Sequence, residues 1–339
     1  VDGGNIILKQ VGNALTTIDN KIGIIYGRME GDKFAILIKS SKLSDGLKLI
    51  KEAIDKIINR TPLVLKIGIA NILDDNIESA YERAIKTLHY IAHDYSKTIA
   101  LYDEKVNESY IRSQNLILDF EDAIKDHQFL VYLQPQINSY DNTIIGAEAL
   151  IRWHHPKYGM IPPSEFIPLF EKNMMINRLD MFVWEEACRF LKKWSDDEYK
   201  KLSISVNIST KDFYLIDVVS TIIGLKDKYQ IETNRLKLEI TESAFVNDQD
   251  LLIKNVVALQ KAGFIVEMDD FGSGYSSFNS LKDIPIDVLK LDMKFLDGDI
   301  NNKKTSEILT SVISMAHRIN LPVIAEGVET KEQCELLHE

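Results

Sequence analysis

Cysteine is nearly absent. The only two, Cys188 and Cys334, lie far apart and form no disulfide or metal-ligand spacing. Nothing therefore points to a disulfide-stapled scaffold or a thiolate zinc site, and a reducing cytoplasm is expected. Basic charge is also short: 40 Lys and Arg against 51 Asp and Glu leave a net charge of −11. Without a basic excess to displace counterions, broad binding to a nucleic-acid polymer or an anionic membrane is excluded. A phosphate-bearing ligand would have to be met locally, by a metal or a few Lys and Arg. No apolar run approaches a membrane span, and no signal peptide opens the chain.

What is present is an ordinary globular composition, 45% hydrophobic and 27% charged, in 339 residues, enough for two domains. The sequence starts on Val1 and stops inside a helical pattern, so a fragment of a longer protein is expected. A sensory or membrane segment ahead of Val1 is left open. Over residues 5–18, Ile6, Ile7, Val11, Leu15 and Ile18 recur at helical spacing. Residues 22–26 and 34–38 read as strands joined by a polar turn. A helix carrying Leu47, Ile50, Ile54 and Ile57 follows, then a strand at 63–69, a helix at 77–93 and a strand at 98–102. Residues 1–103 thus make an α+β module without a catalytic cluster, and the polar stretch 104–117 reads as a helical linker.

From residue 118 strands and helices alternate. Strands at 130–137 and 143–153 flank a turn at 139–142, and a helical region buries Leu179, Phe182, Val183, Ala187, Phe190 and Leu191. Strands follow at 203–208 and 236–241, in the segment ending at Asp269, and at 288–293 and 322–326. Between them lie helices at 216–229, around Leu252, Val256 and Leu259, a short one after Asp269, and one around Ile308, Val312, Met315 and Ile319. Gly263 stands where a helix C-cap is needed, and Thr330 with Gln333 has capping-box spacing for a last helix. This alternation predicts parallel pairing in a TIM-like (β/α)8-type barrel rather than a doubly wound sheet. Seven strands are counted. The first is free to run antiparallel, and the eighth is expected beyond Glu339.

The chemistry concentrates at strand ends. Asp269 and Asp270 sit back to back after the apolar run Phe264-Ile265-Val266. Desolvation and mutual repulsion disfavour such an ionised pair unless a cation neutralises it, and a hard divalent metal would do so. Taken alone, the pair also suits an exposed Asx turn. Period-2 alternation, however, sends Asn207, Glu239 and Thr241 inward. Lys290 and Asp292 share one strand face, and Glu326 ends the next strand. A polar group at one strand end after another points to a site on the C-terminal face of a barrel. His154-His155 lacks convergent partners for a metal. Trp153, Trp184 and Trp194 read as packing residues. Gly272-Ser273-Gly274 lacks the lysine of a phosphate loop and reads as loop flexibility.

These residues lie in "YLQPQ" from Tyr132, "GAEALIRWHHP" from Gly146, "VNIS" from Val206, "LEITES" from Leu238, "MDDFGSGYSS" from Met268, "LKLD" from Leu289 and "IAEGVET" from Ile324. In these motifs residues 118–339 strongly resemble the EAL domain, a family that hydrolyses cyclic di-GMP. The resemblance implies a metal-dependent, cyclic-guanylate-specific phosphodiesterase yielding linear pGpG, using two Mg²⁺ or Mn²⁺ ions. A non-catalytic cyclic di-GMP receptor is the alternative. Glu148, Asn207, Glu239 and Asp269 would hold one ion, with Asp269, Asp270 and Glu326 at the second. Lys290 would orient the attacking water. Gln134, Leu150, Arg152 and Asp292 would meet the substrate, and Glu242 would anchor the loop after Asp270. A homodimer through this domain is also implied.

The turn "YGRMEGDKF" from Tyr26 resembles, in degenerate form, the GGDEF signature of diguanylate cyclases. Glu30 replaces the first glycine and Lys33 the metal-binding glutamate, whereas Gly31, Asp32 and Phe34 are kept. Gly4-Asn5 stands where the family has Gly-Asp. The resemblance implies an inactive, regulatory module with GTP as its candidate ligand.

Overall fold

The computed structural model describes all residues except 1, 60, 62, 74–75, 93, 95, 197–198, 247, 273–283, 293–302 and 339. The chain divides into two compact units, residues 1–115 and 116–339.

In the first unit the apolar spacing of Val11, Leu15 and Ile18 gives helix α1, Asp2–Ile22, longer at both ends than the 5–18 read from the pattern. Strands β1 (Ile25–Arg28) and β2 (Phe34–Leu37) form an antiparallel hairpin. Helix α2 (Leu43–Ile58) buries Ile50 and Ile54, one turn apart, against α1 and Ile24. Strand β3 covers Ile67–Ile69, shorter than the expected 63–69, because Leu63 and Val64 lie outside it and half exposed. Helix α3 (Ile77–Ile91) starts on Asn76, whose side chain accepts from Ser79 N. The last residue of the expected 77–93 helix, His93, lies outside the described residues. Strand β4 (Ile99–Leu101) pairs in parallel with β3. Helix α4 (Glu104–Leu118) follows where a helical linker was expected.

The second unit opens with helix α5 (Phe120–Lys125), followed by strands β5 (Phe129–Ile137) and β6 (Ile144–His155), which pair antiparallel. A short strand absent from the sequence reading, β7 (Gly159–Ile161), folds back on β6. The helical region resolves into α6 (Pro163–Lys172) and α7 (Ile176–Lys193). Then come β8 (Ser203–Asn207), the short α8 (Asp212–Leu215), α9 (Val218–Tyr229), β9 (Leu236–Thr241), α10 (Gln249–Lys261) and β10 (Ile265–Phe271). Strand β11 (Val288–Asp292), helix α11 (Lys303–Arg318), strand β12 (Val323–Glu326) and helix α12 (Lys331–His338) complete the described elements. The short helix expected after Asp269 falls outside the described residues, as does Met293 at the end of its expected strand.

The sheet order is β12-β11-β10-β9-β8-β6-β5, with β7 beside β6. Along the path β6-β8-β9-β10-β11-β12 all neighbours are parallel, so the antiparallel first strand and this parallel run match expectation, while the added β7 is antiparallel to β6. The sheet is a curled, TIM-like half-barrel. One strand face packs on helices: Ala147, Ala149, Ile151 and Trp153 of β6 are buried, as are Ile204 and Val206 of β8. Phe120, Phe129, Trp153, Phe166 and Phe170 form an aromatic cluster beneath it, with the Phe120 and Phe170 rings 4.7 Å apart edge to face. Each such buried side chain contributes about 1.5–3 kcal/mol. Gly263, at φ +93°, ends α10, and Thr330 and Gln333 exchange capping bonds at α12, as their sequence positions suggested. The opposite strand face, left free of apolar packing, carries the polar residues.

Candidate active site

Alternation decides which side chains meet. On β6 the buried Ala147, Ala149 and Ile151 face the helices, so Glu148, Leu150 and Arg152 face the barrel interior. Gln134 on β5 stands opposite Glu148 in register and is exposed. Arg152 lies four residues beyond Glu148 on the same face, about 13 Å along the strand. Its guanidinium rests 5.7 Å from the Tyr132 ring centroid and donates to Ile151 O.

Lys290 is the focus. Its side chain is completely buried, and its Nζ lies 3.1 Å from Glu148 Oε2, 2.8 Å from Glu239 Oε2, 3.3 Å from Asp269 Oδ1 and 2.6 Å from Glu326 Oε1. Four strands thus deliver four carboxylates to the ammonium on a fifth. Burial by itself would lower the lysine, but Glu239, Glu148, Asp269 and Glu326 outweigh it and hold the ammonium charged. Glu239 is pushed well above the usual carboxylate range by burial, with Lys290 opposing and Glu148, Asp269 and Glu267 adding to the rise. Both its oxygens lack a hydrogen bond, since the approach of Lys290 is close but poorly angled. Glu326 is raised to about 7, mainly by burial. Asn207, ending β8, donates from Nδ2 to Glu148 Oε1 at 3.3 Å, and its carbonyl accepts from Trp184 Nε1 at 2.9 Å.

Asp270 takes φ +56° where the β10–β11 register shifts, a left-handed backbone uncommon for a residue with a side chain. Burial, then the charges of Asp269 and Asp292, raise its carboxyl. Asp292 ends β11 level with Glu326. Glu242, nearly fully buried, accepts from Gly272 N at 2.9 Å and so ties down the chain just after Asp270. Of the loop beyond, residues 273–283 lie outside the described set. His155 pairs with Asp119 at 3.1 Å and caps the turn at Lys157, which accounts for it without a metal.

The donor set consists of carboxylate and amide oxygens, the chemistry of a hard divalent ion. Glu239, buried with two unbonded oxygens, fits a cation partner. Among the described residues no three His, Cys, Asp or Glu side chains already stand at the spacing of a closed metal set. The carboxylates are spaced around the Lys290 ammonium, and a metal would have to share their oxygens with it.

The sequence reading missed a second polar layer. Glu267, fully buried, accepts from Ser205 Oγ at 2.8 Å and pairs with Lys237 Nζ at 3.0 Å, and Gln136 Nε2 reaches Ser205 Oγ at 3.4 Å. The signal was present: each of Ser205, Lys237 and Glu267 lies two residues before Asn207, Glu239 or Asp269. The carboxyl pair of Asp180 and Asp212 was also missed.

The half-barrel thus gathers strand-end carboxylates around one buried lysine. Residues 118–339 match the EAL domain family, and the chain belongs to it. The family match leaves the first 117 residues unassigned. The bifunctional diguanylate cyclase/cyclic di-GMP phosphodiesterase MucR of Pseudomonas aeruginosa is 30% identical over 320 residues, 91% of this chain and 47% of the relative. A solved structure titled as the PaMucR phosphodiesterase in complex with c-di-GMP aligns at TM-score 0.63 and 33% identity, covering 66% of this chain and 91% of that one. The Vibrio cholerae LapD S helix-GGDEF-EAL structure, bound to c-di-GMP, aligns at TM-score 0.66 over 97% of this chain and 79% of that one. At 18% identity that is a likeness of fold alone. This chain spans under half the length of the full-length curated relatives it matches, MucR among them.

Proposed function

We propose that this chain hydrolyses cyclic di-GMP to linear pGpG. The observation that carries the reading is the convergence of Glu148, Glu239, Asp269 and Glu326 on Lys290 inside an EAL domain. Relatives described as cyclic di-GMP phosphodiesterases support the substrate. Glu148, Asn207, Glu239 and Asp269 would hold one Mg²⁺ or Mn²⁺, and Asp269, Asp270 and Glu326 a second. When bound, such ions lower the pKa of a shared water and neutralise charge developing on the attacked phosphate. The protein's own groups do the rest. Lys290, kept charged by its carboxylate ring, holds the attacking water by hydrogen bond and adds positive charge at the reacting phosphate. Arg152 offers a planar fork to the phosphate oxygens, and Leu150 an apolar contact. Gln134 and Asp292 complete the substrate contacts, and Glu242 fixes the strand end that presents Asp269 and Asp270. Water adds across one P–O3′ bond, leaving a 5′-phosphate and a free 3′-hydroxyl.

The N-terminal unit is proposed as a GGDEF-like regulatory module, and a second copy of the chain as a partner through residues 118–339. The test is incubation with cyclic di-GMP and Mg²⁺ or Mn²⁺, resolving pGpG by chromatography, beside Asp269→Asn. Turnover that falls at least about a hundredfold in the variant is expected, since a metal Lewis acid contributes several kcal/mol to the barrier. Tight binding without turnover would make the protein a receptor instead.

A further inference from the structure

Beneath the carboxylates lies a cation whose position has consequences. Lys237 sits two residues before Glu239 on β9 and on the same strand face, about 7 Å away along the backbone and well within a lysine side chain's reach. Glu239 is fully buried, neither oxygen has a hydrogen bond, and Lys290 Nζ lies 2.8 Å from Oε2, so a second ammonium within reach would compete for the same carboxylate. Lys237 reaches sideways instead, to Glu267 Oε1 at 3.0 Å, on the neighbouring strand and in register with Glu239. Glu267 is itself completely buried, and its second oxygen is taken by Ser205 Oγ at 2.8 Å. The three residues come from three neighbouring strands, each two residues before a residue of the site; in register Ser205 is level with Lys237, and Glu267 is level with Glu239.

We propose that Glu267 is a positioning residue that, with Ser205, holds the Lys237 ammonium to one side of Glu239, so that Lys290 alone shares that carboxylate with a divalent cation. This rests on the proposed metal-dependent reading of the site. Without the Glu267 charge, Lys237 turns up to Glu239, as Lys290 already does from the neighbouring side, and two ammoniums then compete with the metal for one carboxylate. A purely structural pair would behave differently: any variant that breaks it would loosen the strands, whatever charge was left behind.

Titration of the purified chain with Mn²⁺ by calorimetry separates the two, because it reads binding without turnover. Glu267→Gln keeps the shape and removes the charge, and Mn²⁺ should bind at least about tenfold more weakly. In Lys237→Met/Glu267→Gln the competing ammonium is gone, and the affinity should return to that of the wild type. Should Glu267→Gln not fold, Lys237→Met alone reads the same balance with the opposite sign, and Mn²⁺ should bind more tightly. Equal Mn²⁺ affinity in wild type and Glu267→Gln overturns the proposal, as does a double variant as weak as the single one. If the wild type binds no Mn²⁺ at all, the metal-dependent reading falls and this inference with it. Mn²⁺ binding that is indifferent to residues 237 and 267 leaves that reading standing and removes only the inference.

Discussion

At the scale of single residues, a buried acceptor can matter through what it holds still. Glu242 is not one of the carboxylates around Lys290, yet its Oε2 takes the Gly272 N–H two residues past Asp270, a residue with φ +56°. A left-handed aspartate persists only where its surroundings hold it. Glu242→Ala would orphan the Gly272 donor, at about 1–3 kcal/mol, and release the strand end. We expect the melting temperature to fall by several degrees and turnover of cyclic di-GMP by at least tenfold. Glu242→Gln, which keeps an acceptor at the same place, should retain most of both. Equal loss in the two variants would show that the charge, and not the tether, is what counts. Glu242 was found in the sequence only through its motif, since alternation says nothing about which donor a strand-end glutamate will meet.

At the scale of elements, the stretch from β8 to α8 carries a second charge device. Asp212, fully buried, accepts from Ser209 N at 2.9 Å, while Ser209 Oγ donates to Glu171 on α6. Burial raises Asp212 to about 6, against the hydrogen bonds from Asp180 and Ser209 N, and Glu171 adds to the rise. Asp180 on α7 is raised as well, by burial and then by Asp212. Both carboxyls are raised above their unfolded values, so the stability Asp212 contributes is full below about pH 4 and is lost as pH rises through about 6. Asp212→Asn keeps the acceptor for Ser209 N and removes the charge. Its melting temperature relative to wild type should therefore be higher at pH 8 than at pH 5, by a few degrees. The full effect corresponds to about 3 kcal/mol. Parallel pH curves would remove this explanation.

The same elements show where sequence reading works and where it stops. Helical spacing located α2, α7 and α10, and period-2 alternation sent Asn207 and Glu239 inward, because a one-residue slip would have put Ile204 and Val206 into the site. The short β7 could not be read, since its three residues are too few to show a period. Lys237 and Glu267 went unnoticed for a different reason. Alternation already put them on the inward face, two residues before Glu239 and Asp269, but it does not tell which residues of neighbouring strands meet, so their pairing shows only in three dimensions. Asp212 likewise looks like an ordinary helix-start aspartate until Asp180, from another helix, is brought against it.

At the scale of the whole molecule, the two units share a chain but, on the reading proposed here, not an enzymology. The β1–β2 turn is well built: Met29 N donates to Lys33 O and Lys33 N to Glu30 O, while Arg28 Nε and Nη2 hold Gly31 O at 2.9 and 2.7 Å. Gly31 takes φ +57°, which suits a glycine. On the proposed GGDEF-like reading, Lys33 stands where that family's metal-binding glutamate would be, so the turn lacks anionic charge there. Joining two GTP molecules needs cations to neutralise the transferring phosphoryl group. A like unit charge about 4 Å away costs on the order of 4 kcal/mol at an effective dielectric of about 20, and twice that for a divalent ion. Even half of the doubled figure lowers metal affinity about a thousandfold. We therefore expect that protein carrying Glu148→Ala, which disables the barrel, will accumulate no cyclic di-GMP from GTP and Mg²⁺. In protein with the barrel intact, GTP should change the rate of cyclic di-GMP hydrolysis without being consumed. Cyclic di-GMP appearing in the first experiment would restore a cyclase to the N-terminal unit. An unchanged hydrolysis rate in the second would remove GTP as the ligand of the N-terminal unit.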